Sequence, residues 1–168
     1  MVDKVATKDA VVVVGLGEIQ VSRDPATVLT CLGLGSCIGI SVYDPVARVG
    51  GMAHIVLPAS EGKSMPNSSK YADVGIPMLL EELRKVGALS LRLVVKLAGG
   101  AQMSKAPGHQ STFQIGERNY TAVQVVLARQ RITVAAVDVG GNRGRTLKLY
   151  VESGRATVTT VGLEGKEL

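Results

Sequence analysis

Two alternating runs, Cys37–Tyr43 and Arg48–Leu57, flank Asp44-Pro45-Val46-Ala47, and no other feature constrains the fold as much. Period-two alternation on both sides of a short turn-forming stretch predicts a β-hairpin. One face would carry Ile38, Ile40 and Val42 with Val49, Gly51, Ala53, Ile55 and Leu57. The other would carry Cys37, Gly39, Ser41 and Tyr43 with Arg48, Gly50, Met52 and His54. Both runs must show their apolar sets to the same side, because a one-residue slip turns one set outward. With Asp44–Ala47 as the loop, Tyr43 pairs with Arg48 and Cys37 falls directly opposite His54.

The rest of the chain repeats the theme of short aliphatic runs ended by glycine or polar turns. Val11–Leu16, Ile19–Val21, Val28–Leu34, Leu91–Leu97, Ile132–Val137, Thr146–Val151 and Ala156–Val161 read as strands. Apolar positions 72, 76, 79, 80, 83 and 86 follow a helical period, with Pro77 predicting a start or a kink nearby. Arg118–Arg129 reads as a second helix with Ala122, Val125 and Val126 on one face, and Glu61–Ser69 as a surface loop. Strands outnumber helices and several are hairpin-linked. The expected class is α+β, a layered α/β sandwich with mixed, largely antiparallel sheets and helices packed on the outside. At 168 residues one domain is expected, with residues 1–10 a flexible segment.

Composition narrows the function. Apolar residues make up 46% of the chain, which excludes intrinsic disorder. Trp is absent and the aromatics are Phe113, Tyr43, Tyr71, Tyr120 and Tyr150, so the core is aliphatic and a base-stacking nucleic-acid surface is not expected. The longest apolar run, Val11–Val14, is too short to insert in a membrane, and the first ten residues lack a signal-peptide pattern. A cytoplasmic protein with reduced thiols is expected. Residues 1–70 hold six basic and six acidic side chains, so the whole net charge of +5 falls in residues 71–168. Its scatter fits a solvated surface, or a face for an acidic partner rimmed by Arg118, Arg143 and Arg145.

The predicted hairpin carries the chemistry. Cross-strand neighbours have Cβ atoms about 4.5–5.5 Å apart, which brings thiol and imidazole into contact. An ordinary thiol is little ionised at neutral pH, and an adjacent imidazole can take its proton. Gly33-Leu34-Gly35-Ser36 precedes Cys37 and lets backbone N–H groups converge on one point, as an oxyanion requires. The competing reading is a cysteine packed as a small hydrophobe; the residues alone leave both open. The glycine clusters lack the Gly-Lys-Ser/Thr of a phosphate loop, so they read as turns. Cys31 and Cys37 are too widely spaced for the usual zinc pattern, and His109 in a Pro-Gly loop reads as a surface residue, so no metal is expected.

Leu32-Gly33-Leu34-Gly35-Ser36-Cys37, Tyr43-Asp44-Pro45 and Gly50-Gly51-Met52-Ala53-His54 closely resemble the CheD family of chemoreceptor glutamine deamidases. Lys70-Tyr71-Ala72-Asp73, Gly99–Met103, Ile115–Asn119 and Asp138–Gly144 continue the likeness over nearly the whole chain. The resemblance implies a layered α/β sandwich similar to the catalytic domain of cytotoxic necrotizing factor toxins. It implies a cofactor-free hydrolase in which Cys37 is the nucleophile and His54 its base. Cys31 stands where the family usually has the threonine of a Cys-His-Thr triad, so either a thiol takes over the orienting role or the third member is dispensable here. Gly35, Ser36, Gln102 and Arg143 are the expected substrate-binding residues. Methyl-accepting chemotaxis receptors are the implied partners, with the CheC phosphatase as a candidate second partner. The non-enzymatic alternative is an adaptor that binds receptors or CheC.

Overall fold

The structure, a computed structural model, describes residues 9–62, 68–103 and 114–168. His109, residues 63–67 of the expected Glu61–Ser69 loop and residues 1–8 of the expected flexible segment lie outside them, while Ala10 of that segment already belongs to a strand. In chain order the strands are β1 (Ala10–Val13), β2 (Ile19–Ser22), β3 (Thr27–Leu34), β4 (Ile38–Asp44), β5 (Val49–Ile55) and β6 (Val94–Gly99). They continue as β7 (Val134–Val139), β8 (Arg145–Tyr150), β9 (Ala156–Thr160) and β10 (Lys166–Glu167). Helix α1 (Ala72–Lys85) precedes β6 and α2 (Ile115–Arg129) follows it.

The strands form two five-stranded sheets, β1-β3-β8-β9-β10 and β2-β5-β4-β6-β7. Among these described strands the β1–β3 and β6–β7 pairs are parallel and the remaining pairs antiparallel. Both helices cover one face of the second sheet, and the first sheet covers the other. On the helical side Ile38, Ile40, Val42, Ala53 and Ile55 pack with Ile76, Leu79 and Leu83 of α1 and Val123, Val126 and Leu127 of α2. Between the sheets Tyr43 and Met52 meet Leu29, Cys31, Leu147, Leu149 and Val158. Each large aliphatic side chain buried in this way contributes roughly 1.5–3 kcal/mol. The layered α+β expectation holds, with helices on one outer face.

Every residue of β4 and β5 is buried, which corrects the expectation that only one hairpin face meets a core. Small residues on the second face (Gly39, Ser41, Gly50) leave room for the leucines of the first sheet. The register is corrected as well. Asp44 pairs with Val49 and Gly39 with His54, a shift of two residues from the predicted pairing. The cause lies in the turn: the Asp44 carboxylate accepts the N–H groups of Val46 and Ala47, and Arg48 takes a left-handed conformation with φ 53. Asp44 therefore ends the strand instead of opening the loop. A shift of two preserves side-chain parity, but Cys37 lies just outside β4 and His54 pairs with Gly39, so the expected direct Cys37–His54 pair does not form.

Two helix details also differ from the sequence reading. Helix α1 begins at Ala72, five residues before Pro77, which lies inside it. The ring removes one backbone donor near the start, and the burial of Ile76, Leu79 and Leu83 outweighs that loss. In α2 the buried face is Gly116, Asn119, Val123, Val126 and Leu127, whereas Val125 is exposed.

Candidate active site

Cys37 is half-buried at the end of the tight connection from β3 to β4. The β3–β8 ladder breaks between Cys31 and Leu34, with Gly33 at φ 63, and so frees the chain to turn there. Three consecutive carbonyls of the turn are then tied down from three directions. Gly35 O accepts the Ala101 N–H at 2.8 Å, Ser36 O accepts Asn119 Nδ2 at 3.0 Å, and Cys37 O accepts the Gly100 N–H at 2.8 Å. Peptide planarity directs the N–H groups of Ser36 and Cys37 away from the carbonyls of Gly35 and Ser36. Position 99 must be glycine: its φ is +117, and a Cβ there would collide with the Cys37 carbonyl oxygen.

His54 lies in β5 opposite Gly39 and is 2% exposed. The loop from Val14 to Glu18 wraps it: Gly17 N–H donates to His54 O, and His54 N–H donates to Glu18 O. The ring nitrogen Nδ1 is 3.1 Å from the Val14 carbonyl oxygen. A carbonyl can only accept, so Nδ1 carries the proton and Nε2 is the basic atom. Among the described residues Nε2 is buried with no hydrogen-bond partner, so the expected thiol–imidazole contact is not made as a hydrogen bond in the resting structure. Burial pulls the imidazole below its ordinary pKa, opposed by the Val14 bond and by Glu18. Burial pushes the Cys37 thiol up, opposed by a hydrogen bond from its own N–H. Each shift favours the neutral form of its group.

Cys31 is fully buried between the sheets, its Sγ 4.0 Å from the Ala53 carbonyl oxygen. Burial first, and then the neighbouring Cys37, push its pKa up to about 12. It stays a thiol at any physiological pH. The partner found at His54 Nδ1 is the Val14 carbonyl, while the Cys31 thiol points to a different backbone oxygen.

Of the remaining expected residues, Gly35 and Ser36 form the turn. Gln102 and Arg143 are both exposed. Two backbone bonds, Gly140 N–H to Gly99 O and Gln102 N–H to Gly141 O, zip their loops together beside that turn. Arg118 is exposed on α2. Arg145 departs from the expected rim position. It is 8% exposed, donates to Asp138 at 2.6 Å, and reaches the carbonyls of Gly99, Gly140 and Arg143. It staples the loops from inside because Asp138 and the glycine carbonyls surround it. Sequence reasoning missed Val14, whose contribution is a backbone atom with no side-chain signal. It also missed Asn119, for which a polar residue in the apolar face of α2 was the available clue.

The site is a half-buried thiol and a buried imidazole near one end of a β-hairpin, within a two-sheet α+β sandwich. The CheD family, described as CheD chemotactic sensory transduction, matches residues 56–160. The chain is 48% identical over 158 residues to the probable chemoreceptor glutamine deamidase CheD of Symbiobacterium thermophilum, spanning 92% of this chain and 95% of that one. It is 47% identical to the corresponding protein of Caldanaerobacter subterraneus over 89% and 92% of the two chains. It is 44% identical to the chemoreceptor glutamine deamidase CheD of Thermotoga maritima over 93% and 98%. Among solved structures it is similar to the Bacillus licheniformis hypothetical protein YfiH, with 12% identity, a TM-score of 0.43 and coverage of 80% and 60%. The chain belongs to the CheD family.

Proposed function

We propose that this protein is a chemoreceptor glutamine deamidase that works through a Cys37 thioester. The observation that carries the reading is the tautomer of His54: Val14 O holds the proton on Nδ1 and leaves a buried, unpartnered Nε2 as base. In the proposed reaction His54 Nε2 takes the Cys37 proton as sulfur attacks the side-chain carbonyl carbon of a glutamine. The N–H groups of Ser36 and Cys37 are the candidate donors to the resulting oxyanion. Collapse breaks the C–N bond; ammonia leaves with the proton from His54, and a thioester remains. Water, deprotonated by His54, then hydrolyses it to glutamate and returns the thiol. Gln102 and Arg143 flank the approach to this turn and are assigned to the receptor segment, with CheC as a further candidate partner. The names of the relatives supply the substrate class. Among the described residues no helix is long and apolar enough to cross a membrane.

The test is ammonia release and the amide-to-acid mass change on a recombinant receptor cytoplasmic fragment. Cys37→Ala and His54→Ala are each expected to abolish both while keeping the circular-dichroism spectrum. Full activity in Cys37→Ala sinks the thioester route. Tight receptor binding with no ammonia release from the native protein makes it an adaptor instead.

A further inference from the structure

Asn119 belongs to the Ile115–Asn119 motif, and nothing above gives it a task in the reaction. It is a fully buried polar side chain in the second turn of α2. Its Nδ2 donates to Ser36 O at 3.0 Å and to Val56 O at 2.9 Å. Ser36 precedes Cys37 in the chain, and Val56 lies two residues after His54. These are the places where the hairpin opens. The last cross-strand pair is Ile38 with Ile55; beyond it Val56 leaves β4 and donates its N–H to Lys70 O. The carbonyls of Ser36 and Val56 thus lose a cross-strand partner, and one carboxamide bridges them from a third element. The helix comes close enough because residue 116 is glycine: a Cβ there would lie 2.6 Å from Gly100 O and 2.7 Å from Ala101 O. The same Gly100 and Ala101 hold the Cys37 turn through their N–H groups.

The geometry points to Asn119 as a positioning residue that sets the spacing between Cys37 and His54 by clamping both strands where the hairpin splays. It rests on the reading of Cys37 and His54 as nucleophile and base. The side-chain orientation is forced, since two carbonyl acceptors demand the NH₂ end of the amide. That leaves Asn119 Oδ1 buried without a partner among the described residues. An orphaned buried acceptor is a cost, and one kept in a native fold calls for a reason beyond packing. Holding nucleophile against base to a fraction of an ångström is such a reason, since a 1 Å misplacement can cost about 10²-fold in rate.

Asn119→Ala and Asn119→Asp test this, with a receptor cytoplasmic fragment as substrate and iodoacetamide as a probe of the thiol. In folded Asn119→Ala, kcat is expected to fall about a hundredfold with KM little changed. In Asn119→Asp the ionised carboxylate has no proton to donate and faces two carbonyl oxygens. Protonation restores one donor, so its kcat relative to wild type should climb as pH falls from 8 to 6. Once activity is corrected for the folded fraction at each pH, a residue that merely fills space would give a ratio independent of pH. Wild-type kcat in Asn119→Ala, or a pH-independent ratio in Asn119→Asp, overturns the assignment. If Asn119→Ala does not fold, the Asn119→Asp ratio decides alone. Failure of the underlying reading looks different: Cys37→Ala would remain active whatever the Asn119 variants do.

Discussion

The resting protonation state of the Cys37–His54 pair separates this site from one that stores a thiolate–imidazolium ion pair. Burial raises the thiol above its ordinary value of 9.0 and lowers the imidazole below 6.5, so each shift favours the neutral form. Even an unshifted thiol of pKa 9.0 is only about 1% ionised at pH 7, and the upward shift makes that fraction smaller. The alkylation rate of Cys37 should therefore rise about tenfold per pH unit between 7 and 9, about a hundredfold in all. A stored ion pair would give a rate already on a plateau near neutrality. The assay is iodoacetamide labelling at a series of pH values, read site by site by mass spectrometry. Cys31 supplies the internal control: fully buried, with a pKa pushed up to about 12, it should label only when the protein is unfolded. His54→Ala should change the slope little, because in the proposed reaction imidazole is the base in turnover and not the keeper of a standing thiolate. A Cys37 rate that is flat between pH 6 and 8 would refute the reasoning. It would mean that Nε2 already holds the proton at rest.

Two further outcomes follow from residues around the hairpin. Burial opposes ionisation of the Asp44 carboxylate, yet Arg92 at 2.7 Å and the N–H groups of Ala47, Leu89 and Val46 outweigh it and pull the pKa down to about 2. Its folded pKa lies below the ordinary 3.8, so its stabilisation of about 2 kcal/mol is present above pH 4 and lost as pH falls towards 2. Urea midpoints at pH 7 and pH 2.5 should show this loss, and Asp44→Asn should shrink the difference. Gly99→Ala should cost about 1–3 kcal/mol from its positive φ and lower both the melting temperature and deamidation, because the new Cβ must displace the Cys37 carbonyl. Unchanged Cys37 alkylation and turnover in that variant would show that the turn can give way without harm.

Periodicity alone located most elements, because alternation and helical spacing are written in neighbouring residues. The runs around Asp44, the face of Ile76, Leu79 and Leu83, and the aliphatic core are of this kind. Parity alone also predicted one face for Cys37 and His54, but the pairing itself was moved by the two-residue register shift. What the alternation left open was decided by contacts between distant parts of the chain. The hairpin slipped by two residues because the carboxylate of Asp44 closes the turn and is itself held by Leu89 and Arg92, some 45 residues away. Arg143 and Arg145 read alike along the chain. Only folding separates them, since Asp138 and three carbonyls enclose the second and leave the first in solvent. The proton on His54 is placed by a backbone oxygen, Val14 O, and a carbonyl has no identity in a sequence. Asn119 was visible as a polar residue on an apolar face. That its amide spans Ser36 and Val56 depends on how closely α2 approaches the glycine turn, which only the packed structure determines.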